Sequence, residues 1–143
     1  MEYASPIWGG AGSTSLNILD RIQRKAMRIL KIDDPIDAGI HSLQHRRDVS
    51  TLSVFYRHMF LQPSVELSSI MPPGIQRTRV TRSSVGGHQH SLAVPRSRTS
   101  LHMSSYIPRA TRLWNALPDL VFPDTTNPHI FKLGVNRFLC DIS

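Results

Sequence analysis

Apolar residues recur at helical spacing in four separate stretches of this chain, and prolines fall at or near their ends. That pattern constrains the fold more than any other feature, because a period of 3.6 residues fits one face of a helix and cannot sit still as a strand. The first stretch runs from about Thr14 to Lys31. At 100° per residue, Ile18, Leu19, Ile22, Ala26, Ile29 and Leu30 share an arc of about 120°, and Arg21, Arg24, Lys25, Arg28 and Lys31 share an opposing arc of similar width. Ser13 or Thr14 is placed to cap its free N–H groups, and Asp33, Asp34 and Pro35 supply the stop. Arg28 and Lys31 at its C-terminal end suit the helix dipole.

The second stretch spans about Asp37 to Leu61, with Gly39 as an available break, and Pro63 ends it. Leu43, Val49, Leu52, Phe55, Tyr56, Met59 and Phe60 give it a broad apolar face, while Arg46, Arg47 and Asp48 lie in its first turns. The third starts at Pro108, which needs no N–H partner at a helix start, and stops at Pro118. Ala110, Leu113, Trp114 and Leu117 line one side, whereas Arg109 and Arg112, three residues apart, share another. The fourth begins with the cap-and-proline pair Asn127-Pro128, and Ile130, Phe131, Val135, Phe138 and Leu139 form its apolar face. The expected fold is therefore mainly α: a small bundle of about four helices with a long Arg/Ser-rich irregular loop or short β-hairpin in the middle. Leu19, Ile22, Leu52, Phe55, Trp114, Phe131 and Phe138 are the candidate core. The opening Tyr3 to Trp8 is too short to form an element of its own.

The middle of the chain has a different character. Residues 72–105 are rich in Ser, Arg, Pro, Gly and His, and Pro72-Pro73-Gly74 and Gly86-Gly87 punctuate them as turns. Low order is expected over 74–90. Leu92, Val94 and Arg96 alternate with Ser91, Ala93 and Pro95, which suits a short edge strand where proline is tolerated. Charge is also uneven. Residues 67–118 hold seven Arg and no acid, and over the whole chain 17 Lys+Arg face 10 Asp+Glu, for a net charge of +7. Fourteen of the basic residues are Arg, the side chain suited to bidentate phosphate contacts. Such an excess is either a solvated arm or a stripe for a polyanion.

Most enzyme chemistry lacks a foothold. No GxSxG elbow, P-loop or GxGxxG is present, and Gly9-Gly10-x-Gly12 has no strand–helix context, so it reads as a flexible lead-in to the first helix. His88-x-His90 with His102 and Cys140 offers metal-ligating atoms, but the spacing matches no zinc signature, so no metal and no cofactor is expected. Asp33-Asp34 is the kind of pair that holds Mg²⁺, yet no second acidic cluster joins it and a helix stop explains it. One cysteine permits no internal disulfide, which suits a reducing, intracellular location, nuclear or cytoplasmic. No apolar run is long enough to span a membrane, and no secretory leader is visible. For nucleic acid, phosphate contacts with base stacking would draw on the basic arc, the Arg-rich middle, and Tyr106 and Trp114 beside Arg109 and Arg112; Trp114 serves equally as a core residue.

Five stretches, in order, carry a family resemblance: EYASPIWGG (2–10), LDRIQRKAMRIL (19–30), LQHRRDVSTLSVFYR (43–57), VPRSRTSLHMSSYIPRATRLWNALP (94–118) and FKLGVNRFL (131–139). Together they resemble the C-terminal part of reverse transcriptases from non-LTR retrotransposons of the jockey and chicken-repeat type. The resemblance implies that residues 1–12 are the tail of an upstream polymerase palm, 13–71 a thumb-like helical pair, 72–105 a basic loop, and 106–143 a C-terminal helical pair. It implies RNA or RNA–DNA duplex as partner, with Arg21, Arg24, Lys25 and Arg28 facing the template–primer, helped by Arg96, Arg98, Arg109 and Arg112. It also implies packing against a palm, and neither a membrane nor a small-molecule substrate as partner. The aromatic-x-Asp-Asp motif of the palm is absent, because Asp33-Asp34 follows Ile32 in the thumb-like region. Polymerase activity in this chain is therefore not expected. The competing expectations are a basic protein-interaction module, with Phe55, Tyr56 and Phe60 as a docking patch, and a remnant without function.

Overall fold

A computed structural model of the chain describes residues 4–32, 39–75 and 88–141. Seven α-helices run in the order α1 (Ser5–Trp8), α2 (Ser13–Ile29), α3 (Leu43–Phe60), α4 (Val65–Ile70), α5 (Ser100–Ser104), α6 (Tyr106–Asn115) and α7 (Pro128–Asp141), with a 3₁₀ turn at Asp119–Val121. The mainly helical expectation holds. The four long helices are α2, α3, α6 and α7, and their bounds follow local chemistry. Ser42 caps α3 by accepting from the His45 N–H at 3.1 Å. Asn127 Oδ1 accepts from the N–H groups of His129 and Ile130 ahead of α7. α2 starts differently from expectation: Gly12 is its N-cap and no side chain closes it. At its far end Lys31 takes a left-handed conformation, φ 53°, which turns the chain out of the helix. The expected stop at Asp33, Asp34 and Pro35 lies outside the described residues.

α3 is the central element, with α1, α6 and α7 packed against it. The core joins Val49, Leu52, Phe55 and Tyr56 of α3 to Ala110, Trp114 and Leu117 at α6, Val121 of the 3₁₀ turn, and Phe131 and Val135 of α7. Trp114 is fully buried, with Phe55, Tyr56, Phe122 and Phe131 rings at centroid distances of 5.1, 6.5, 5.0 and 5.8 Å. Its indole N–H donates to the His90 carbonyl at 2.9 Å, so the polar edge of the ring is satisfied.

The middle segment is tied to the same point. His88 Nδ1 accepts from the His90 N–H, which leaves Nε2 as the donor to the Trp114 carbonyl at 2.8 Å. Asn115 bonds both the N–H and the C=O of Leu92, as a neighbouring strand would. An isolated bridge pairs Gly74 with Leu92. This bridge, closed by the Ile75 N–H on the Ser91 carbonyl and the Ala93 N–H on the Pro73 carbonyl, is all that the described residues show of the expected edge strand. Most of 74–90, where low order was expected, lies outside the described residues.

Three expectations are corrected. α1 is a short element of its own, placed on α3. Gly9 and Gly10 are close-approach residues rather than a slack lead-in: a Cβ on Gly9 would overlap the Arg109 guanidinium and one on Gly10 the Ser104 carbonyl. Leu19 and Ile22 are not core, for α2 has no buried residue and Ile22 is 49% exposed. Phe138 packs against the core while only partly buried. Among the described residues no helix is long and apolar enough to cross a membrane.

The Trp114→Ala variant is expected to lose roughly 3–5 kcal/mol, as truncation of a fully buried ring does. Thermal unfolding followed by circular dichroism should show Tm lower by roughly 10 °C or more. An unchanged Tm would mean that the ring is not the centre of the core.

Candidate nucleic-acid interface

α2 rests on the body along one edge only. Asp20 pairs with Arg47 at 3.7 Å, Gln23 accepts from Arg46 at 2.9 Å, and the Gln23 amide donates to the His41 carbonyl at 3.4 Å. The arcs to either side of that edge are both open. On one flank Arg21, Arg24, Lys25 and Arg28 are exposed. The Arg24 Nε–H reaches the Asp20 carbonyl, and among the described residues none of the four forms an ion pair. On the other flank Ile18, Ile29 and Leu30 are 52, 72 and 68% exposed. The helix thus presents a cationic strip about two turns long, held in register by its regular backbone.

The remaining sequence-predicted residues divide into two kinds. Arg96 and Arg98 are exposed on the irregular segment before α5. Arg112 is exposed but committed to backbone, with its guanidinium donating to the Pro108 and Met103 carbonyls. Arg109 is an interior tie: Nη2 donates to the Pro6 carbonyl at 2.7 Å and to Thr51 Oγ1 at 3.2 Å, which joins α6 to α1 and α3. It is withdrawn from the phosphate-contacting set, because its hydrogen-bonding end points inward. Its burial pulls its pKa below the ordinary value, against the attraction of Asp48.

The expected stacking partners are withdrawn as well. Trp114 is sealed in the core, and Tyr106 has its hydroxyl in the interior, where burial pushes its pKa up to about 12 despite Arg109 nearby. The docking patch of Phe55, Tyr56 and Phe60 fails on the same ground. Phe55 and Tyr56 are core, and only Phe60 reaches the surface.

A second basic surface was not foreseen. A cavity of about 620 Å³ opens between α3 and α7, with Arg46, Ser50, Ser53 and Arg57 from α3 and His129, Lys132 and Asn136 from α7 on its walls. Among the described residues no acidic side chain lines it. Its signal was in the sequence: Arg46, Ser50, Ser53 and Arg57 form a polar stripe at helical spacing along α3, opposite Leu52 and Phe55. Counting charge by segment concealed it, because the stripe alternates with buried positions. The buried Ser5 hydroxyl, also on the cavity wall, has no hydrogen-bond partner.

His88, His90, His102 and Cys140, weighed in the sequence as metal-ligating atoms, are each placed elsewhere. Both ring nitrogens of His88 are engaged, His102 bonds Ser97, and Cys140 lies beside His41 instead. The Asp33-Asp34 pair is outside the described residues.

Beneath α2 lies a group of buried charges. Arg47 is 2% exposed, and its Nη2 donates to Gln44 while Nε and Nη1 have no hydrogen-bond partner. Asp48 accepts from Gln44 at both oxygens, 2.9 Å each. Burial lifts the Asp48 carboxyl above its ordinary 3.8, outweighing the Gln44 hydrogen bonds and the pull of Arg109, Arg47 and His45.

No protein-family model matches the chain, and no curated protein or solved structure is significantly similar to it.

The raised Asp48 pKa has a sign. Its contribution to stability is full below pH 3.8 and is lost as pH rises through the higher folded value. The Asp48→Asn variant is expected to show a flatter stability profile than the parent as pH rises from about 4. Urea denaturation across that range checks it, and superimposable profiles would refute it.

Proposed function

We propose that this chain is a helical nucleic-acid-binding module without polymerase activity, related to the thumb and C-terminal tail of non-LTR retrotransposon reverse transcriptases. Its ligand is RNA or an RNA–DNA duplex, bound without sequence preference. The observation that carries the reading is the exposed strip Arg21, Arg24, Lys25 and Arg28 on one arc of α2, with no ion pair among the described residues. Clustered cations left without acidic partners attract phosphates and release condensed counterions on binding. A rigid helix also spaces them regularly, as tracking a backbone requires. Arg96, Arg98 and Arg112 add exposed charge outside that strip.

The two aromatics expected to stack on bases, Trp114 and Tyr106, are taken up inside the fold. That supports recognition by charge and shape over recognition by stacking. Enzymatic chemistry gains no support, because among the described residues neither the basic strip nor the basic cavity includes a carboxylate.

One further observation favours a second body. The open apolar flank of Ile18, Ile22, Ile29 and Leu30 is what a thumb helix would present to the palm that the sequence resemblance implies. On this reading α2 binds nucleic acid with one flank and its own polymerase with the other.

Anisotropy titrations with a labelled RNA–DNA duplex at several salt concentrations test the proposal. Replacing Arg21, Arg24, Lys25 and Arg28 together by Gln should weaken binding and lower the slope of log affinity against log salt by roughly three to four units. An unchanged slope would show that the strip is only a solvated face.

A further inference from the structure

One side-chain cluster has ligand chemistry that nucleic-acid binding does not use. His41, His45 and Cys140 each offer one donor atom, and the three donors lie within 4.8 Å of one another. Cys140 Sγ is 3.8 Å from His41 Nδ1, and the two imidazole centroids are 4.4 Å apart. Around a tetrahedral zinc ion, bond lengths of about 2.0–2.3 Å place neighbouring donor atoms about 3.3–3.7 Å apart. The Cys140–His41 pair already has nearly that spacing. The widest gap must close by about 1 Å, within reach of side-chain rotation at half-buried His41 and exposed Cys140.

The backbone explains why the three meet. His41 lies just ahead of the Ser42 cap and His45 in the first turn of α3, and the two rings stack across that entry to the helix. Cys140 is in the last turn of α7, which packs along α3. His45 Nε2 is also 2.9 Å from Asn136 Oδ1, one turn before Cys140 on α7. With the amide oxygen accepting, Nε2 carries the proton and Nδ1 is the nitrogen left with a lone pair. A hydrogen-bonded outer nitrogen is the usual arrangement behind a ligating histidine.

We propose that His41, His45 and Cys140 form a site for a zinc-class divalent cation that staples the last turn of α7 to the start of α3. Two imidazoles and a thiolate suit zinc and cobalt over calcium or magnesium, which prefer oxygen. Three protein ligands leave the fourth position to water. Binding converts the Cys140 thiol to thiolate and releases its proton to solvent. His41 and Asn136 also line the basic cavity between α3 and α7, so the cation would add positive charge at its wall.

The full 143-residue chain, kept reduced, is titrated with Co²⁺ and then with Zn²⁺. The expected result is a thiolate-to-cobalt charge-transfer band that saturates at one equivalent and disappears as zinc displaces cobalt. Cys140→Ser should abolish that band, and His41→Ala should weaken binding tenfold or more. Asn136→Ala should weaken it by about tenfold, through His45 alone. Zinc should raise the Tm of the parent and leave that of Cys140→Ser unchanged. Both Cys140 and His41 reach the surface, so these variants keep the fold, and far-UV circular dichroism checks that they do. The proposal is overturned if no charge-transfer band appears at one equivalent. It is equally overturned if Cys140→Ser and His41→Ala bind the metal as the parent does, which would place the ion on other histidines.

Discussion

The burial of Trp114 is the interaction on which the rest of this fold depends. A ring of that size cannot be enclosed by two helices alone. Phe55 and Tyr56 close on it from α3, Phe131 from α7, and Phe122 from the segment after α6. The indole N–H and the residue's own carbonyl then reach His90 and His88 and bring the Ser- and His-rich middle of the chain onto the core. A segment with little apolar content of its own is thus held by hydrogen bonds to a residue that the hydrophobic effect has already fixed. Asn115, next in sequence, extends the same device to Leu92.

Much of this was legible in the sequence. Proline and cap residues marked α6, the start of α7 and the end of α3 to within a few residues, whereas α3 begins at Leu43, behind a Ser42 cap, and not near Asp37; Leu52, Phe55, Trp114 and Phe131 were identifiable as core. α2 was the instructive failure. Its pattern is strongly two-sided, yet Ile18 and Ile22 remain exposed. Periodicity reports that a helix has an apolar side; it does not report what is available to cover that side. Here α3, α6 and α7 fill the core among themselves, and α2 is attached by Asp20 and Gln23, polar residues that an apolar count ignores.

The arginines divide in the same way. Sequence arithmetic gave Arg109 and Arg112 equal standing as surface charges, three residues apart on one helix. Burial separates them, since Arg109 is committed to Pro6 and Thr51. Arg47, counted as one more cation in a first turn, is nearly sealed and faces Asp20. Such buried guanidinium groups are tolerable only with partners fixed around them, and those partners come from elements remote in sequence. The stripe from Arg46 to Arg57 needed α7 opposite it before it became a cavity. In each case the residue type was plain and its surroundings were set by tertiary packing.

The tie between Arg109 and Pro6 spans 103 residues, and it has a consequence during synthesis. The first turn leaves the ribosome early, but the guanidinium that accepts its docking follows only after about 100 more residues, roughly 5–20 s later at ordinary elongation rates. Throughout that interval α1 has only α3 to rest on, and Pro6 and Gly9 lack the guanidinium that closes over them. The opening segment therefore completes its contacts only after most of the chain has been made.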